Sequence, residues 1–528
     1  MPPPATSCAS ADDKPLVLLA QPLFPDFAAA LEGRYRFTLA ADADEATAAE
    51  ARVLLVPGLK EVTAELIGRL PALELVVTTS VGVDHVDLEA CRRRGLAVTN
   101  AGGAFSADSA DYAVGLVIAV LRRISAAEAY LRRGRWATDG KYPLATKMTR
   151  GAKPAENGAR VSSTERWRQD IDERKHKLGN GPLWANLCGV VGKEREANGP
   201  LSPTRGTGEC GAVARGDGAA ASGDQDVACK PLVLLADPLI PEFQPDLSAH
   251  YRLLPAASAR ALLTIELPLV TVDLIDALPA LELVVASSVS VDHIDLAACR
   301  RRGIRVTNAG DAYAADAADY SVGLVVAALR RVTAADAYVR RGGWVAHGEY
   351  PLATKVSGKR VGIVGLGRIG SLVARRLAAF GCPVAYHSRS PKPSSPYRFF
   401  PTVRALAADS DVLVLSCALT EETRRVVDWE VMEALGKCGV LVNVGRGGLV
   451  DEPELVRCLR EGVIGGAGLD VFENEPDVPA ELLAMDNVVL SNHRAVLTPE
   501  SIRGVLDIVA GNLEAFFAGR PLLSPVTL

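Results

Sequence analysis

Residues 359–370, KRVGIVGLGRIG, decide the fold of this 528-residue chain. The first half of the stretch is apolar and predicts a short buried strand, and residues 371–380, SLVARRLAAF, carry apolar side chains at helical spacing. Between them stand glycines in the pattern G-x-G-x-x-G. A strand, a glycine turn and a helix in this order hold a dinucleotide, because the glycines permit a tight turn and a close backbone approach while the helix N-terminus faces the pyrophosphate. The predicted pyrophosphate site is Gly365, Leu366, Gly367, Arg368, Ile369 and Gly370.

The second strand of the same unit indicates which dinucleotide is bound. NAD-specific domains carry an acidic residue about 20 residues past the glycines, which hydrogen-bonds the ribose 2′-hydroxyl. No Asp or Glu occurs between residues 366 and 408, and the strand ends in Ser388, Arg389 and Ser390. A guanidinium and two hydroxyls suit a 2′-phosphate. We expect NADP(H) to be preferred over NAD(H); the alternative is that this loop is a solvated basic segment.

Composition restricts the class of protein. With 48% hydrophobic and 23% charged residues the chain is typical of a soluble globular protein. The net charge is −5 and no large basic block occurs, so neither nucleic acid nor a membrane is expected as a partner. The ten cysteines are scattered without a C-x-x-C pair, which predicts reduced thiols, no metal site and a cytoplasmic location.

An internal repeat dominates the organisation of the chain. Residues 14–27, KPLVLLAQPLFPDF, return as residues 230–243, KPLVLLADPLIPEF. Residues 52–147 align with residues 260–355 at a constant offset of 208 and without a gap. This period is far too long for a solenoid repeat, so it indicates a duplicated domain. Each copy alternates strand-like and helix-like segments and predicts a small α/β unit.

Four segments follow from this pattern: a first α/β domain over 14–147, a linker over 148–229, a second copy over 230–355 completed by 499–528, and a dinucleotide-binding domain over 356–498. The linker is rich in Gly, Ala, Arg and Ser, and its composition predicts disorder. It is either a natural connection between tandem domains or the product of a gene model that fuses two neighbouring copies. The second interpretation is favoured because the first copy stops where its own cofactor domain should begin.

Three further stretches follow predicted strands, where α/β sheets place their ligands. They are residues 443–447 with Arg446, residues 468–476 with Glu475, and residues 491–493 ending in His493. Singly, each has an ordinary interpretation as a turn residue, a loop charge or a histidine at a helix start. Together they supply a cation, a carboxylate and an imidazole, which suit the reduction of a 2-keto acid.

Residues 230–528 resemble the D-isomer-specific 2-hydroxyacid dehydrogenase family, and within it the plant hydroxyphenylpyruvate and glyoxylate/hydroxypyruvate reductases. The resemblance rests on GLGRIG, the SRS loop, VGRGGLVDEPEL, GAGLDVFENEP and GNLEAFFAGRPLLSPV. It implies a Rossmann-type doubly wound parallel sheet for the cofactor domain and a flavodoxin-like α/β substrate domain, here present twice. It also implies a homodimer and an active site in the cleft between the two domains.

The resemblance assigns roles to the three catalytic candidates. Arg446 would hold the substrate carboxylate and polarise the keto oxygen, and His493 would protonate that oxygen. Glu475 would hydrogen-bond the imidazole and fix its tautomer. Hydride would come from NADPH, with hydroxypyruvate, glyoxylate or 4-hydroxyphenylpyruvate as substrate. No metal is needed, because the guanidinium and the imidazole can together stabilise the developing oxyanion.

The resemblance also assigns contacts around the substrate and the nicotinamide. Asp470 would contact the nicotinamide carboxamide, and Val444 and Gly445 would line the nicotinamide side. In the substrate domain, Val289 and Ser290 belong to a loop whose backbone N–H groups face the substrate carboxylate in the family.

The second copy departs from the family pattern in its substrate loops. The first copy reads Ser-Val-Gly-Val-Asp with Gly82, whereas the second copy has Ser290 at that position, and Gly58 aligns with Glu266. If those turns need positive φ or a close approach, the substitutions each cost about 1 kcal/mol or more. The alternative function is therefore a catalytically weak dinucleotide-binding regulatory protein. The linker is long enough for the first copy to cover the cofactor domain in place of the second copy. The second copy is favoured, because it is connected directly to the cofactor domain.

Around the histidine, the family's Pro-His-Ile-Gly is replaced by residues 492–495, Asn-His-Arg-Ala. We expect the Arg494 charge, where an apolar residue is usual, to reshape the pocket or to add an anion contact.

Overall fold

The computed structural model describes residues 14–23, 25–140, 142, 232–235, 243, 247–248, 250–253, 259–265 and 267–528. The predicted linker and Glu266 lie outside the described residues. The described parts form three parallel sheets with helices beside them, which confirms the predicted α/β class.

The first copy folds as a five-stranded sheet in the order β2-β1-β3-β4-β5. Its strands are β1 (Leu16–Leu19), β2 (Arg36–Leu39), β3 (Val53–Val56), β4 (Leu75–Thr78) and β5 (Ala97–Thr99). Its helices are α1 (Pro25–Leu31), α2 (Glu45–Glu50), α3 (Ala64–Gly68), α4 (Leu88–Arg93), α5 (Ser106–Leu121), α6 (Ile124–Arg132) and α7 (Arg135–Asp139). The strand order 2-1-3-4-5 is the flavodoxin-like order that the family resemblance implies.

The second copy repeats this sheet, in the order β10-β9-β8-β6-β7. Its strands are β6 (Leu232–Leu235), β7 (Arg252–Leu253), β8 (Ala261–Thr264), β9 (Leu283–Ala286) and β10 (Arg305–Thr307). Its helices are α8 (Val272–Asp276), α9 (Leu296–Arg302), α10 (Ala314–Arg330), α11 (Val332–Arg340) and α12 (Gly343–His347). The final helix of the chain, α18 (Pro499–Phe517), packs on this sheet, since Val505, Val509 and Leu513 share a core with Leu263 and Val285.

The third sheet has seven parallel strands in the order β13-β12-β11-β14-β15-β16-β17. They are β11 (Val361–Val364), β12 (Val384–His387), β13 (Arg398–Phe399), β14 (Val412–Leu415), β15 (Val440–Asn443), β16 (Gly466–Leu469) and β17 (Val488–Leu490). The helices are α13 (Arg368–Ala379), α14 (Val403–Ala408), α15 (Trp429–Leu435), α16 (Glu452–Glu461) and α17 (Ala480–Ala484). The order 3-2-1-4-5-6-7 is that of a dinucleotide-binding sheet, whose ligands lie outside the carboxyl ends of its strands.

Helix α10 lies at the centre of the molecule. One side of it packs on the third sheet and α13, where Leu324 and Val325 are fully buried. Another side packs on α5 of the first copy. Among the described residues, no helix is both long and apolar enough to cross a membrane.

Candidate active site

The glycine turn is built as a pyrophosphate site requires. Gly365 has a φ of +96°, and a Cβ there would lie 2.6 Å from the backbone nitrogen of Cys417. A Cβ on Gly370 would lie 2.1 Å from the carbonyl oxygen of Gly365, so the start of helix α13 can approach the strand only with glycine at this position. Gly367 differs from both, because a Cβ there would meet no protein atom within 4 Å. Its backbone therefore borders open space at a helix N-terminus that no side chain caps, which fits a bound pyrophosphate.

The SRS loop lies beside this turn. The Gly365 N–H donates to the carbonyl oxygen of His387 at 2.9 Å, so the end of β12 is held against the first glycine. Ser388 follows directly and donates its hydroxyl to the Ser390 carbonyl at 2.7 Å, while Arg389 is exposed. The predicted serine and arginine contacts thus lie on the side of the turn where the adenosine ribose would be expected.

The turn after β15 carries the candidate arginine. Asn443 is buried and accepts from the Gly445 N–H at 3.0 Å, while its amide donates to the Arg446 carbonyl at 2.9 Å. The Arg446 guanidinium donates through Nη1 to the Gly445 carbonyl at 2.8 Å. Asn443 therefore fixes the shape of the turn, a role that the sequence prediction missed. An amide directly before a Val-Gly-Arg turn was the available signal.

Arg446 also reaches across to the second copy. Its Nε lies 3.3 Å from the Asp292 carboxylate, on the Val289–Ser290 loop. Burial acts to raise the pKa of Asp292, but the Ser290 hydroxyl and the Arg446 guanidinium act in the opposite direction and hold it below its usual value. This ion pair places the substrate loop of the second copy, and not that of the first, at Arg446. The exchange of substrate domains considered from the sequence is therefore not what the structure shows.

Ser290 does not impose the backbone strain expected from the loss of glycine. Neither Gly82 nor Ser290 has a positive φ, so the position accepts a side chain. The Ser290 hydroxyl donates instead to the Asp292 carboxylate. Gly58 does have a positive φ, of 64°, as the prediction required.

His493 and Glu475 form the central pair of the site. His493 Nδ1 lies 2.7 Å from Glu475 Oε2, and the other oxygen of Glu475 accepts from the Phe472 N–H at 3.1 Å. Both side chains are about a quarter exposed, so the pair faces solvent on one side. A carboxylate on Nδ1 fixes the tautomer and turns Nε2 of the imidazole outward.

Asp470 is buried behind this pair. One of its oxygens accepts from the Ser491 hydroxyl at 2.6 Å and the Arg494 N–H at 2.9 Å, and the other accepts from the Ala495 N–H at 2.9 Å. Burial raises the pKa of Asp470 despite these contacts. The carboxylate therefore holds the backbone that follows His493 and the hydroxyl of Ser491 before it, which makes it a positioning group for the histidine.

Arg494 lies in an environment that the sequence did not predict. The side chain is buried, and its guanidinium lies over the ring of Tyr142, which belongs to the first copy, at 4.8 Å. Burial lowers the pKa of Arg494. The arginine therefore points into the contact between the copies. Asn492 is also buried, and both polar atoms of its side chain are without a hydrogen bond.

The three catalytic candidates lie at one edge of the third sheet. Arg446 follows β15, Glu475 lies in the loop after β16, and His493 follows β17. A Cβ on Gly447 would lie 1.9 Å from the Phe472 carbonyl, so the arginine turn is packed directly on the loop that leads to Glu475. Among the described residues, no group of His, Cys, Asp or Glu side chains is arranged to hold a metal.

Comparison with known proteins agrees with this arrangement. Residues 322–495 match the NAD binding domain of the D-isomer specific 2-hydroxyacid dehydrogenases, and residues 17–197 match their catalytic domain. A glyoxylate/hydroxypyruvate reductase of Arabidopsis thaliana is 60% identical over 274 residues, which cover 52% of this chain and 84% of the relative. The chain belongs to the D-isomer specific 2-hydroxyacid dehydrogenase family.

Other members of the family show the same partial coverage. The hydroxyphenylpyruvate reductase of Plectranthus scutellarioides is 54% identical over 254 residues, which cover 48% of this chain and 81% of the relative. A solved NADPH-dependent glyoxylate/hydroxypyruvate reductase from Sinorhizobium meliloti, in complex with NADP and malonate, is 37% identical with a TM-score of 0.54. The matched region covers 56% of this chain and 97% of the Sinorhizobium meliloti chain. Nearly half of this chain is therefore additional to what such a dehydrogenase contains.

Proposed function

We propose that this dehydrogenase uses NADPH to reduce small 2-keto acids to D-2-hydroxy acids, with hydroxypyruvate, glyoxylate and 4-hydroxyphenylpyruvate as candidate substrates. The observation that carries the proposal is the 2.7 Å contact between His493 and Glu475, beside Arg446 and on the same sheet edge as the glycine turn. Relatives named for these reactions support the choice of substrates.

Arg446 is the group that receives the substrate carboxylate. A guanidinium has five N–H donors, and the hydrogen bonds found for Arg446 use Nε and Nη1. The Nη2 donors thus remain for a substrate oxygen. The Ser288–Asp292 loop lies on the other side of this space, where Val289 and Ser290 offer backbone groups to the same carboxylate. Donors on two sides would hold the carboxylate through charge-assisted hydrogen bonds.

His493 is the proton donor. Glu475 occupies Nδ1, so Nε2 is the nitrogen that carries the transferable proton to the keto oxygen. Asp470 keeps the histidine in place through the Arg494 and Ala495 N–H groups. NADPH, when bound on the glycine turn, supplies the hydride. Arg446 and the protonated imidazole then stabilise the negative charge that develops on the oxygen.

The preference for NADPH over NADH is part of the proposal. It is supported by Ser388, Arg389 and Ser390 beside Gly365, and by the NADP bound to the Sinorhizobium meliloti relative. We expect Arg389→Ala to raise KM for NADPH by about tenfold or more, because a charge-assisted contact to a phosphate contributes roughly 1.5–3 kcal/mol. KM for NADH should stay within about twofold.

The domain boundaries and the cell compartment also remain proposals. Packing of α18 on the second copy supports a substrate domain over 230–355 completed by 499–528, with the cofactor domain over 356–498. The described cysteines are all free, which supports the cytoplasm. The resemblance implies a homodimer through the cofactor domain. A homodimer that used α10 instead would require α5, which packs on that helix, to leave.

The test is NADPH oxidation by the full chain with each of the three keto acids. We expect turnover with at least one of them and a loss of about 10²–10⁴-fold in kcat for His493→Ala. Trp344→Ala is the control, because Trp344 is exposed and distant in the chain from the site residues. Equal activity of the wild type and His493→Ala would refute the role of the histidine.

A second function keeps one specific observation in its favour. The Asp292 carboxylate already lies on Arg446, where the substrate carboxylate is expected. If this pair does not open, the protein binds a dinucleotide without catalysis and acts as a regulatory module. NADPH binding in calorimetry, with no oxidation of NADPH by any of the three keto acids, would decide for this function. Recovery of turnover in Asp292→Asn would identify the ion pair as the cause.

A further inference from the structure

The contact between the two copies is self-complementary. Arg122 of α5 pairs with Asp316 of α10 at 2.6 Å, and Arg330 of α10 pairs with Asp108 of α5 at 3.4 Å. At the repeat offset of 208, Arg122 is the counterpart of Arg330 and Asp108 is the counterpart of Asp316. The two ion pairs are therefore the same pair made twice, once in each direction.

Contacts between arginines and aromatic rings repeat this symmetry. The Arg122 guanidinium lies 5.3 Å from the ring centre of Tyr320, and that of Arg330 lies 5.1 Å from the ring centre of its counterpart Tyr112.

The close helix approach is also doubled. A Cβ on Gly115 would lie 2.3 Å from Val326, and a Cβ on its counterpart Gly323 would lie 2.6 Å from Ile118, the counterpart of Val326. Contacts in which residue i meets j while j meets i are those of a two-fold symmetric dimer interface. Here both halves of the interface belong to one chain.

Beyond the two long helices the symmetry is broken in one direction. Trp136 of α7 is 7% exposed and packs edge-on against Phe472 of the cofactor domain, with ring centres 5.9 Å apart. Its counterpart Trp344 is 58% exposed. Helix α6 docks in the same way, because Arg132 donates to three backbone carbonyls of the cofactor domain: those of Leu483, Met485 and Val488. Its counterpart Arg340 pairs with Asp336 of its own helix at the surface.

This asymmetry has a simple cause. The first copy has no cofactor domain, so helices α11 and α12 of the second copy find no surface on which to pack. The outer side of α5 is bare for the same reason: Val117 and Leu121 are exposed, whereas their counterparts Val325 and Leu329 are buried against the third sheet.

The docked arm of the first copy, residues 106–142, also reaches the loop that carries His493. Arg122 donates to the carbonyl oxygen of Ala495 at 2.6 Å, and Tyr142 lies over Arg494. Both contacted residues follow the histidine directly. The first copy thus supports the backbone of the loop that follows His493.

We propose that residues 106–142 act as a built-in second subunit, which fills the two-fold face of α10 from within and keeps the full chain a monomer. Residues 139 and 232 belong to one chain and are separated by 92 intervening residues, and a tether of that length keeps the arm near the face at an effective concentration on the order of millimolar. A second chain at micromolar concentration cannot compete with it. The occupant is therefore this chain's own first copy.

The first experiment measures the mass of the full chain by light scattering. We expect one chain, 55.6 kDa, at micromolar concentration. A protease site is then inserted between residues 148 and 229, and the cut protein is passed over a sizing column. Co-elution of the two fragments is expected. A wild-type dimer, or fragments that separate, would overturn the proposal. Neither readout depends on catalysis, so the proposed reaction can fail without affecting this result.

Charge reversal distinguishes the internal partner from a second chain. In Arg122→Asp the internal pair becomes two carboxylates, while Asp316 can still pair with Arg330 of another chain, so we expect a shift from one chain to two. In Asp316→Arg, residue 316 can pair neither with Arg122 nor with Arg330 of another chain, and only the Arg330–Asp108 pair is left inside the chain. We expect a monomer whose fragments separate after cleavage. The double variant R122D/D316R restores only the internal pair, so it should again be a monomer whose fragments co-elute. A dimeric double variant would contradict the assignment.

Discussion

The two matched tryptophans give the sharpest quantitative test of the internal contact. Trp136 and Trp344 occupy the same position in the two copies, yet only Trp136 is buried, against Phe472. Removal of a buried Trp side chain costs about 3–5 kcal/mol, whereas a change at an exposed position stays within about 0.5 kcal/mol. The two substitutions therefore delete the same atoms and differ only in what surrounds them.

The assay is the affinity between the two fragments of a chain cut in the linker. At roughly 1.4 kcal/mol per factor of ten, Trp136→Ala should raise Kd by about 10²-fold or more, and Trp344→Ala by less than about threefold. Fluorescence anisotropy of a labelled first fragment gives both values. Equal effects of the two substitutions would refute the reasoning, because the arm that docks would then not be the one that contains Trp136. A change in the unfolding temperature of the isolated first fragment controls for local misfolding.

Three further predictions concern the cofactor domain. Gly367→Ala should leave the unfolding temperature unchanged and raise KM for NADPH, since its Cβ would meet no protein atom. Gly370→Ala should destabilise the fold, because its Cβ would lie 2.1 Å from a carbonyl oxygen. Thermal unfolding with and without NADPH separates the two outcomes. Glu475→Gln should lower kcat by about 10²-fold with little change in KM, because an amide can donate to Nδ1 as well as accept from it and so no longer fixes the tautomer. Equal kinetics would contradict this role. Burial raises the pKa of Glu452, so the contribution of this residue to stability falls as pH rises through that pKa. Glu452→Gln should therefore unfold at a higher temperature than the wild type at pH 8 and at a similar temperature near pH 4. The opposite trend in unfolding temperature would refute the raised pKa.

Local sequence was enough to find the cofactor turn and the three catalytic candidates. The need for glycine at 370 arises within the motif itself, from the close approach to the Gly365 carbonyl. Arg446, Glu475 and His493 follow strands of one parallel sheet, and the carboxyl ends of such strands meet at one edge. Their proximity was therefore predictable without coordinates, although their roles remain proposals.

Other features depend on residues that are distant in sequence. Asp292 opposes Arg446 only because the second copy folds over the cofactor domain, and no local pattern reveals an ion pair across 154 positions. Ser290 was expected to strain its loop, but strain depends on φ, which the tertiary structure sets outside the left-handed region. Arg494 was expected at the pocket, and its burial beneath Tyr142 could not be predicted because Tyr142 lies in the first copy, far away in the sequence.

By itself, the sequence determined the duplication, the parallel α/β class and the dinucleotide turn, because periodicity and glycine spacing encode local geometry directly. Only the tertiary structure decided which copy meets Arg446 and what the other copy contacts. Two segments with nearly the same sequence have the same propensities, so sequence cannot distinguish Trp136 from Trp344. They differ because one arm finds a cofactor domain on which to pack and the other does not.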